Sequence, residues 1–141
     1  MNTSIATPDA ARTQQLLAEW FAPWIQELGL RVESVGNGQV TLRMPFSEQL
    51  ARIGGMVCGQ ALMSAADTAM ALAVASRLGD RQAMTTVQQN ASFLKPLAGQ
   101  DALVTASVVR AGKSLVFGEI DIVAATDGKS VCRATTTYAL L

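Results

Sequence analysis

Histidine is absent from this 141-residue sequence. Its absence excludes Ser-His-Asp and Cys-His catalysis, a histidine general base and every histidine-ligated metal site. Two cysteines, Cys58 and Cys132, are too few for a zinc site built from cysteines alone within one chain, or for a disulfide scaffold. Chemistry in this chain must therefore use carboxylates, hydroxyls, amides, backbone groups, Lys or Arg, and we expect no metal and no cofactor.

Charge is also scarce, at 16% of residues, and the eleven basic and eleven acidic residues cancel. No block of like charge favours binding to nucleic acid or to an anionic membrane. The first residues lack the basic and then apolar pattern of a signal peptide, and the few cysteines fit a reducing compartment, so we expect a cytoplasmic protein. Residues 53–76 are long enough to span a bilayer, but their central Asp67 and the alternating strands that follow argue against a membrane span.

The longest apolar run, residues 54–79, is the centre of the sequence. Between Arg52 and Arg77 it carries one formal charge, Asp67, among many Ala, Leu and Met residues. These residues favour a helix of roughly five turns that starts near Gly59 and ends at Gly79. Because the helix is apolar on nearly all sides, we expect it to be buried. A buried carboxylate is costly unless it is protonated or hydrogen-bonded, so Asp67 is the first functional candidate.

The remaining pattern predicts one domain of the α+β class, with an antiparallel sheet packed on the central helix. We expect residues 1–7 to be flexible and residues 8–28 to form an N-terminal helix capped by Thr7, with Trp20 and Trp24 in the core, or Trp24 lining a pocket. A Gly36-Asn37-Gly38 turn predicts a hairpin. About four alternating strands follow the central helix, near residues 85–94, 101–110, 116–124 and 132–140.

This order of elements resembles the hot dog fold, a curved antiparallel sheet wrapped around a long central helix. Four segments are similar to motifs of the acyl-CoA thioesterases of the phenylacetate-pathway (PaaI-like) type: RIGGMVCGQ (52–60), AADTA (65–69), FLKP (93–96) and GKS (112–114). The family has Asn, His and a second Gly where this chain has Arg52, Cys58 and Gln60. Gly59 and Asp67 are kept in register.

The resemblance implies that Asp67 is the general base or the nucleophile, and that the Gly59 N–H binds the thioester carbonyl oxygen. Thr86 aligns with a hydroxyl that positions water, and by alternation Gln88 and Asn90 share its face. The structural alternatives are a tethered buried carboxylate, a glycine that permits a tight turn and an ordinary strand threonine. Eight residues separate Gly59 from Asp67, about 12 Å of helix rise, so a contact between them fits two chains, and the family implies such shared sites.

Further residues are candidates for binding the substrate. Arg110, Lys113 and Ser114 stand at a predicted turn, where the resemblance favours contact with the phosphates of CoA over a merely solvated hairpin. Arg52, Cys58 and Gln60 flank the helix start. Arg52 can pair with a partner's carboxylate, steer an anionic substrate or be solvated, whereas Cys58 lacks a histidine to activate it and is more readily a small pocket residue than a nucleophile.

The sequence therefore predicts hydrolysis of acyl-CoA thioesters with arylacyl or short bulky acyl groups. We expect a homodimer with active sites at the interface, and such dimers can pair into a tetramer. One alternative is a non-catalytic acyl-CoA-binding or regulatory protein, because the family's Asn and His are replaced. A third function, acyl-CoA hydration, is less favoured because hydratases of this fold rely on a histidine.

Overall fold

The computed structural model describes residues 6–141. Of the predicted flexible residues 1–7, residues 1–5 lie outside the described part. The chain then forms, in order, α1 (Ala10–Trp20), α2 (Pro23–Gln26), β1 (Arg31–Gly36), β2 (Gln39–Met44), a 3-10 turn (Glu48–Leu50), α3 (Gly59–Leu78), β3 (Met84–Phe93), β4 (Ala102–Ala111), β5 (Leu115–Ala124) and β6 (Ser130–Leu140).

The six strands form one sheet in the order β1-β2-β4-β5-β6-β3, and every neighbouring pair is antiparallel. The long helix α3 packs on one face of this sheet and contacts all six strands. The predicted α+β hot dog architecture is therefore confirmed. Strands β1 and β3 are the two edges, and β3 lies at an edge because the chain returns from α3 to the far side of β6.

Alternating side chains build the core between the sheet and α3. In β4, Ala102, Val104 and Ala106 are buried, whereas Thr105 and Ser107 point to the opposite face, as their alternation predicts. Gly118 of β5 marks the closest approach to the helix. A Cβ added there would overlap the Met70 side chain and lie 2.9 Å from the Ser107 carbonyl oxygen, so only glycine fits without a rearrangement.

Helix α3 begins and ends where the sequence predicts. Cys58 precedes its first turn, and Gly79 ends it with a φ of 99°, a conformation that glycine adopts readily. Thirteen of its 20 residues are buried. The helix is long and apolar enough to cross a membrane by length and composition, but 72% of the apolar window is buried within the protein, as expected for a core helix.

The N-terminal segment differs from the predicted single helix over residues 8–28. It forms two helices, because the chain is extended at Phe21 and Ala22 before Pro23. A proline disfavours the helical conformation at the residue that precedes it. The cap is Asp9, whose carboxylate accepts from the Arg12 N–H at 2.8 Å, and not Thr7.

The two tryptophans are not core residues either. Leu16 and Leu17 of α1 are buried, but Trp20 is 37% exposed and Trp24 is 59% exposed. The leucines fill the contact between α1 and the rest of the domain, so the indole rings lie at its margin. Helical spacing correctly selects the face of a helix, but it does not say how far along that face the packing extends.

A register shift in β3 overturns the prediction that Gln88 and Asn90 share the face of Thr86. The pairing of β3 with β6 shifts between Thr86 and Gln88, so Val87 is an extra residue and the alternation is reset after it. Gln89 consequently faces the helix and donates to the Met63 carbonyl at 2.9 Å. Gln88 and Asn90 are exposed.

Candidate active site

Asp67 lies near the middle of α3 and is half-buried, less than its apolar neighbourhood in the sequence predicts. Two hydroxyls donate to the same carboxylate oxygen. The Thr86 hydroxyl is 2.9 Å from Asp67 Oδ1, and the Tyr138 hydroxyl is 2.6 Å from it. Asp67 Oδ2 has no hydrogen-bond partner among residues 6–141. The predicted proximity of Asp67 and Thr86 is present in the fold.

The sheet brings these two hydroxyls together. Thr86 of edge strand β3 pairs directly with Tyr138 of β6, so their side chains project from the same face of the sheet. That face packs on α3, and Asp67 lies where the helix passes over this pair. The extra residue Val87 follows Thr86 immediately, so the register that places Thr86 towards Asp67 ends there.

Sequence reasoning missed Tyr138, which lies within the predicted strand near residues 132–140 but was given no role there. Its ring is 4% exposed, and its hydroxyl also lies 2.9 Å from the Asp67 main-chain carbonyl. Burial, and then the negative charge of Asp67 and the hydrogen bond to it, raise the pKa of the Tyr138 hydroxyl well above its usual value, so it remains a neutral donor. The available signal was that a buried tyrosine hydroxyl needs a polar partner.

Asp67 opens into a cleft of about 470 Å³, which we call the carboxylate cleft. Trp20, at the end of α1, and the following Phe21 supply an aromatic wall, and α3 supplies Ala71 beside the carboxylate. The segment from α3 into β3 closes the other sides. Its full lining is Trp20, Phe21, Asp67, Ala71, residues 80–86 and Tyr138. A polar reactive group thus lies beside an aromatic surface, the combination expected of a site for an apolar substrate.

Gly59 lines a different cleft, of about 430 Å³, which we call the helix-start cleft. Its other lining residues are Arg52, Met56, Val57, Gln60, Leu62 and residues 93–97. The backbone N–H groups of Gly59 and Gln60 have no hydrogen-bond partner within the described chain, and no side chain caps the helix. They carry the positive end of the helix dipole and can bind a carbonyl oxygen.

Glycine at position 59 is explained by close packing and not by a special turn. Its φ is not positive, whereas a Cβ there would lie 3.3 Å from the Phe93 ring. The same lack of a side chain leaves the backbone N–H accessible from the cleft. Within one chain, however, Gly59 and Asp67 lie in separate clefts, about 12 Å apart along the helix. One chain therefore does not bring the two groups together.

The residues that depart from the family pattern also lie around the helix start. Arg52 is exposed, and its guanidinium donates to the Met56 sulfur at 3.4 Å. Cys58 is half-buried, and its N–H donates to the Leu50 carbonyl at 2.8 Å. Gln60 is exposed. Arg52 and Gln60 line the helix-start cleft with Gly59, whereas Cys58 does not.

Comparison with known proteins identifies the family. The profile of the thioesterase superfamily matches residues 54–131, which include α3, β3 and β4 and the candidate residues on them. A protein of Halobacterium salinarum named "Putative esterase" is 38% identical over 105 residues, 71% of this chain and 69% of that protein. The chain belongs to the thioesterase superfamily. Membership supports thioester hydrolysis as the general reaction.

Solved structures agree with the fold of this thioesterase-superfamily chain. A thioesterase family protein from Silicibacter pomeroyi has a TM-score of 0.84 and 26% identity, with 94% of this chain and 97% of that chain covered. The PaaI protein of the phenylacetic acid degradation operon of E. coli has a TM-score of 0.79 and 24% identity, with 94% and 96% covered. These structures confirm the predicted hot dog fold, and the profile match confirms the predicted thioesterase family at the level of the superfamily.

The predicted phosphate-binding residues of this thioesterase-superfamily chain lie together at the turn between β4 and β5. Arg110, Lys113 and Ser114 are all exposed. The Ser114 carbonyl accepts from the Leu140 N–H at 2.8 Å, which fixes the turn against the end of β6. The turn is at the same end of the sheet as Tyr138, but none of the three residues lines the carboxylate cleft of its own chain.

A third cleft lies on the sheet face opposite α3. It includes Asn90 but none of the predicted catalytic or substrate-binding residues. Polar side chains of β3 to β6 line it, including Thr105, Glu119, Asp121 and Arg133. Within residues 6–141, no group of three or more Asp, Glu or Cys residues is placed to hold a metal ion.

Proposed function

We propose that this chain hydrolyses acyl-CoA thioesters to a free acid and CoA. The observation that carries the proposal is the Asp67 carboxylate, with Oδ1 bound by the Thr86 and Tyr138 hydroxyls and Oδ2 available at the carboxylate cleft. Oδ2 can accept a proton from water, whose oxygen adds to the thioester carbonyl while Thr86 helps to position it. The C–S bond then breaks, and CoA leaves as a thiolate that takes up a proton.

The same oxygen can instead attack the carbonyl carbon directly. CoA then leaves first, and the mixed anhydride formed on Asp67 is hydrolysed by water in a second step. Both routes need a donor for the oxyanion that forms on the carbonyl oxygen. The Gly59 N–H of a second chain is our candidate, because the Gly59 of the same chain lies in a separate cleft.

A homodimer supplies that second chain. Edge strand β3 is ten residues long and pairs only with β6 within the described residues, so its outer edge is available to another copy. Three large apolar residues on or just after it are at least half exposed: Val87 at 58%, Phe93 at 50% and Leu94 at 56%. Such an edge favours pairing between two copies, and dimers can in turn associate into tetramers.

The carboxylate cleft supports an arylacyl or short bulky acyl group as the substrate. Trp20 and Phe21 offer aromatic surfaces within a cleft of limited volume, about 470 Å³. Arg110, Lys113 and Ser114 are our candidates for the CoA phosphates, and Arg52, Cys58 and Gln60 for contacts around the helix start. With two free cysteines, Cys58 and Cys132, the protein also fits the reducing cytoplasm, where we propose that it acts.

A second candidate function is binding of acyl-CoA without hydrolysis. It is favoured by the same hydrogen bonds, since two hydroxyls of the sheet that donate to one carboxylate oxygen also tether a helix to a sheet. The exposed Arg52, in place of the family's neutral amide, gives such a protein a positive charge near the helix start. The two functions differ in whether the thiol is released.

Thiol release from a panel of arylacyl-CoA and straight-chain acyl-CoA substrates tests the proposal. Asp67→Asn and Asp67→Ala should lower kcat at least about 100-fold, the usual contribution of a positioned base. The matched control is Asp121→Asn, because Asp121 also accepts from a hydroxyl, Ser130 at 2.6 Å, but lies on the opposite face of the sheet. Full activity in both Asp67 variants would exclude Asp67 as the catalyst. CoA-thioester binding without release from any substrate favours the second function.

A further inference from the structure

We infer that Tyr138 is a positioning residue that holds Asp67 Oδ1 so that Oδ2 is presented to the carboxylate cleft. The inference rests on the proposed hydrolysis. It assigns the positioning role to a residue of β6, whereas Thr86 belongs to β3. Tyr138 is the single tyrosine of the chain, and its hydroxyl contacts both the side chain and the main chain of Asp67.

The hydrogen-bond inventory explains the effect on the carboxylate. A tyrosine hydroxyl has one hydrogen, and the 2.6 Å distance to Asp67 Oδ1 is that of a charge-assisted O–H···O⁻ bond. The Thr86 hydroxyl donates its own hydrogen to the same oxygen at 2.9 Å. The two acceptor positions of Oδ1 are thus occupied, and a water molecule or substrate in the cleft meets Oδ2.

The sheet, and not a second hydrogen bond, fixes the position of the Tyr138 hydroxyl. Its single hydrogen is donated to Asp67 Oδ1 at 2.6 Å, so its 2.9 Å approach to the Asp67 carbonyl oxygen has no hydrogen of its own. The ring itself is anchored because it is buried and belongs to a strand that is paired on both sides, with β3 and with β5. Thr86, in contrast, is exposed on an edge strand. Tyr138 is therefore the more rigid of the two supports.

Few charged groups compete with this effect. Strand β3 presents no titratable group to Asp67, β6 presents Tyr138, and α1 presents the uncharged Trp20 and Phe21. The segment after α3 contributes Asp80 and Arg81 to the same cleft. Asp80 is paired with the Arg12 guanidinium at 2.9 Å. Loss of the Tyr138 hydroxyl should therefore be the main change that Asp67 experiences in Tyr138→Phe.

Steady-state kinetics of Tyr138→Phe are the first test. The variant removes the 2.6 Å hydrogen bond to Asp67 Oδ1 and leaves the ring in place, so the carboxylate loses the stronger of its two supports. We expect kcat to fall about tenfold while KM changes less than about twofold, because the carboxylate loses its direction but the substrate contacts remain. The control is Thr136→Val, which removes a buried hydroxyl from the same strand and face that binds Gln89, not Asp67.

A second measurement does not depend on hydrolysis. Biosynthetic 3-fluorotyrosine labels Tyr138 alone, so the full-length protein gives one ¹⁹F resonance. This resonance should shift in Asp67→Asn, which alters the acceptor of the Tyr138 hydrogen bond, and keep its wild-type position in Thr136→Val. An active wild type whose kcat is unchanged by Tyr138→Phe, or a resonance that does not move in Asp67→Asn, would overturn the inference alone. A wild type that releases no thiol, with a resonance that does move in Asp67→Asn, refutes the hydrolysis and leaves Tyr138 as a tether.

Discussion

Of the two residues that donate hydrogen bonds to the Asp67 side chain, the sequence predicts one and not the other. The family motif predicts that Thr86 faces Asp67, and the 2.9 Å hydrogen bond between them agrees. Tyr138 makes two contacts to Asp67, one more than Thr86, but no motif indicates it, because it lies 71 residues further along the chain. The pairing of β6 with β3 places the Tyr138 hydroxyl beside Asp67, and the sequence around Tyr138 does not predict that contact. The one local indication is a tyrosine at a position of the strand that alternation predicts to be buried.

Lys113 offers a test at the level of one side chain. If it binds a CoA phosphate, Lys113→Ala should raise KM for acyl-CoA about 3- to 10-fold with little change in kcat, because the lost contact is the same in the ground state and the transition state. The measurement is steady-state thiol release at low and high salt, and the difference between variant and wild type should shrink as salt screens the charge.

The control is Lys129→Ala, which removes a lysine beside another exposed turn, between β5 and β6. That turn is at the opposite end of the sheet from Lys113. The kinetic constants of Lys129→Ala should therefore match those of the wild type. A fall in kcat with unchanged KM in Lys113→Ala would contradict a role in binding CoA.

At the level of elements, the end of helix α1 places an aromatic residue at the carboxylate cleft, which the sequence pattern of the helix does not predict. The pattern predicts an amphipathic helix that packs on the domain, and Leu16 and Leu17 do so. The break before Pro23 ends the helix at Trp20, at the rim of the carboxylate cleft. Trp24, after the break, does not line this cleft. Which of two similar tryptophans meets the cleft thus depends on where the helix stops.

This difference gives a prediction for acyl specificity. Trp20→Ala should lower kcat/KM for arylacyl-CoA about 5- to 20-fold and affect straight-chain substrates less, because the lost aromatic contact favours an aromatic ring. The measurement is the ratio of kcat/KM values for arylacyl and straight-chain substrates.

The matched control is Trp24→Ala, which removes the other, more exposed tryptophan without touching the carboxylate cleft. Its substrate ratio should equal that of the wild type. Equal losses for both substrate classes in Trp20→Ala would mean that Trp20 supports the fold or the helix and does not select the acyl group.

At the level of the whole molecule, the two halves of the proposed site lie too far apart for one chain. Gly59 at the start of α3 and Asp67 in its middle line separate clefts. The ten-residue edge of β3 and the exposed apolar residues beside it are the surface on which a second copy can complete the site. Activity and association should therefore be lost together.

Val87→Lys tests that expectation, because a lysine on an exposed strand edge disfavours pairing with another chain. Sedimentation at micromolar concentration should give a dimer or larger assembly for the wild type and a monomer for Val87→Lys, with thiol release reduced at least about 100-fold. The control is Val109→Lys, since Val109 is similarly exposed at 62% and also lies at a register shift, but in the interior strand β4. A monomeric Val87→Lys with full activity would place the complete site within one chain.

The sequence alone determined the elements and the faces they bury. An apolar run with one charge predicted α3 and its candidate carboxylate, and period-two alternation predicted the core of β4, because both signals are local consequences of burying one face. The motif order predicted the family. Tertiary structure decided which polar groups meet: the register of β3 against β6, the extra residue Val87 and the end of α1 at Trp20 depend on contacts between distant segments. Asp67 depends on both, because the local sequence pattern predicts its position in the helix and the tertiary structure determines which groups of the sheet surround it.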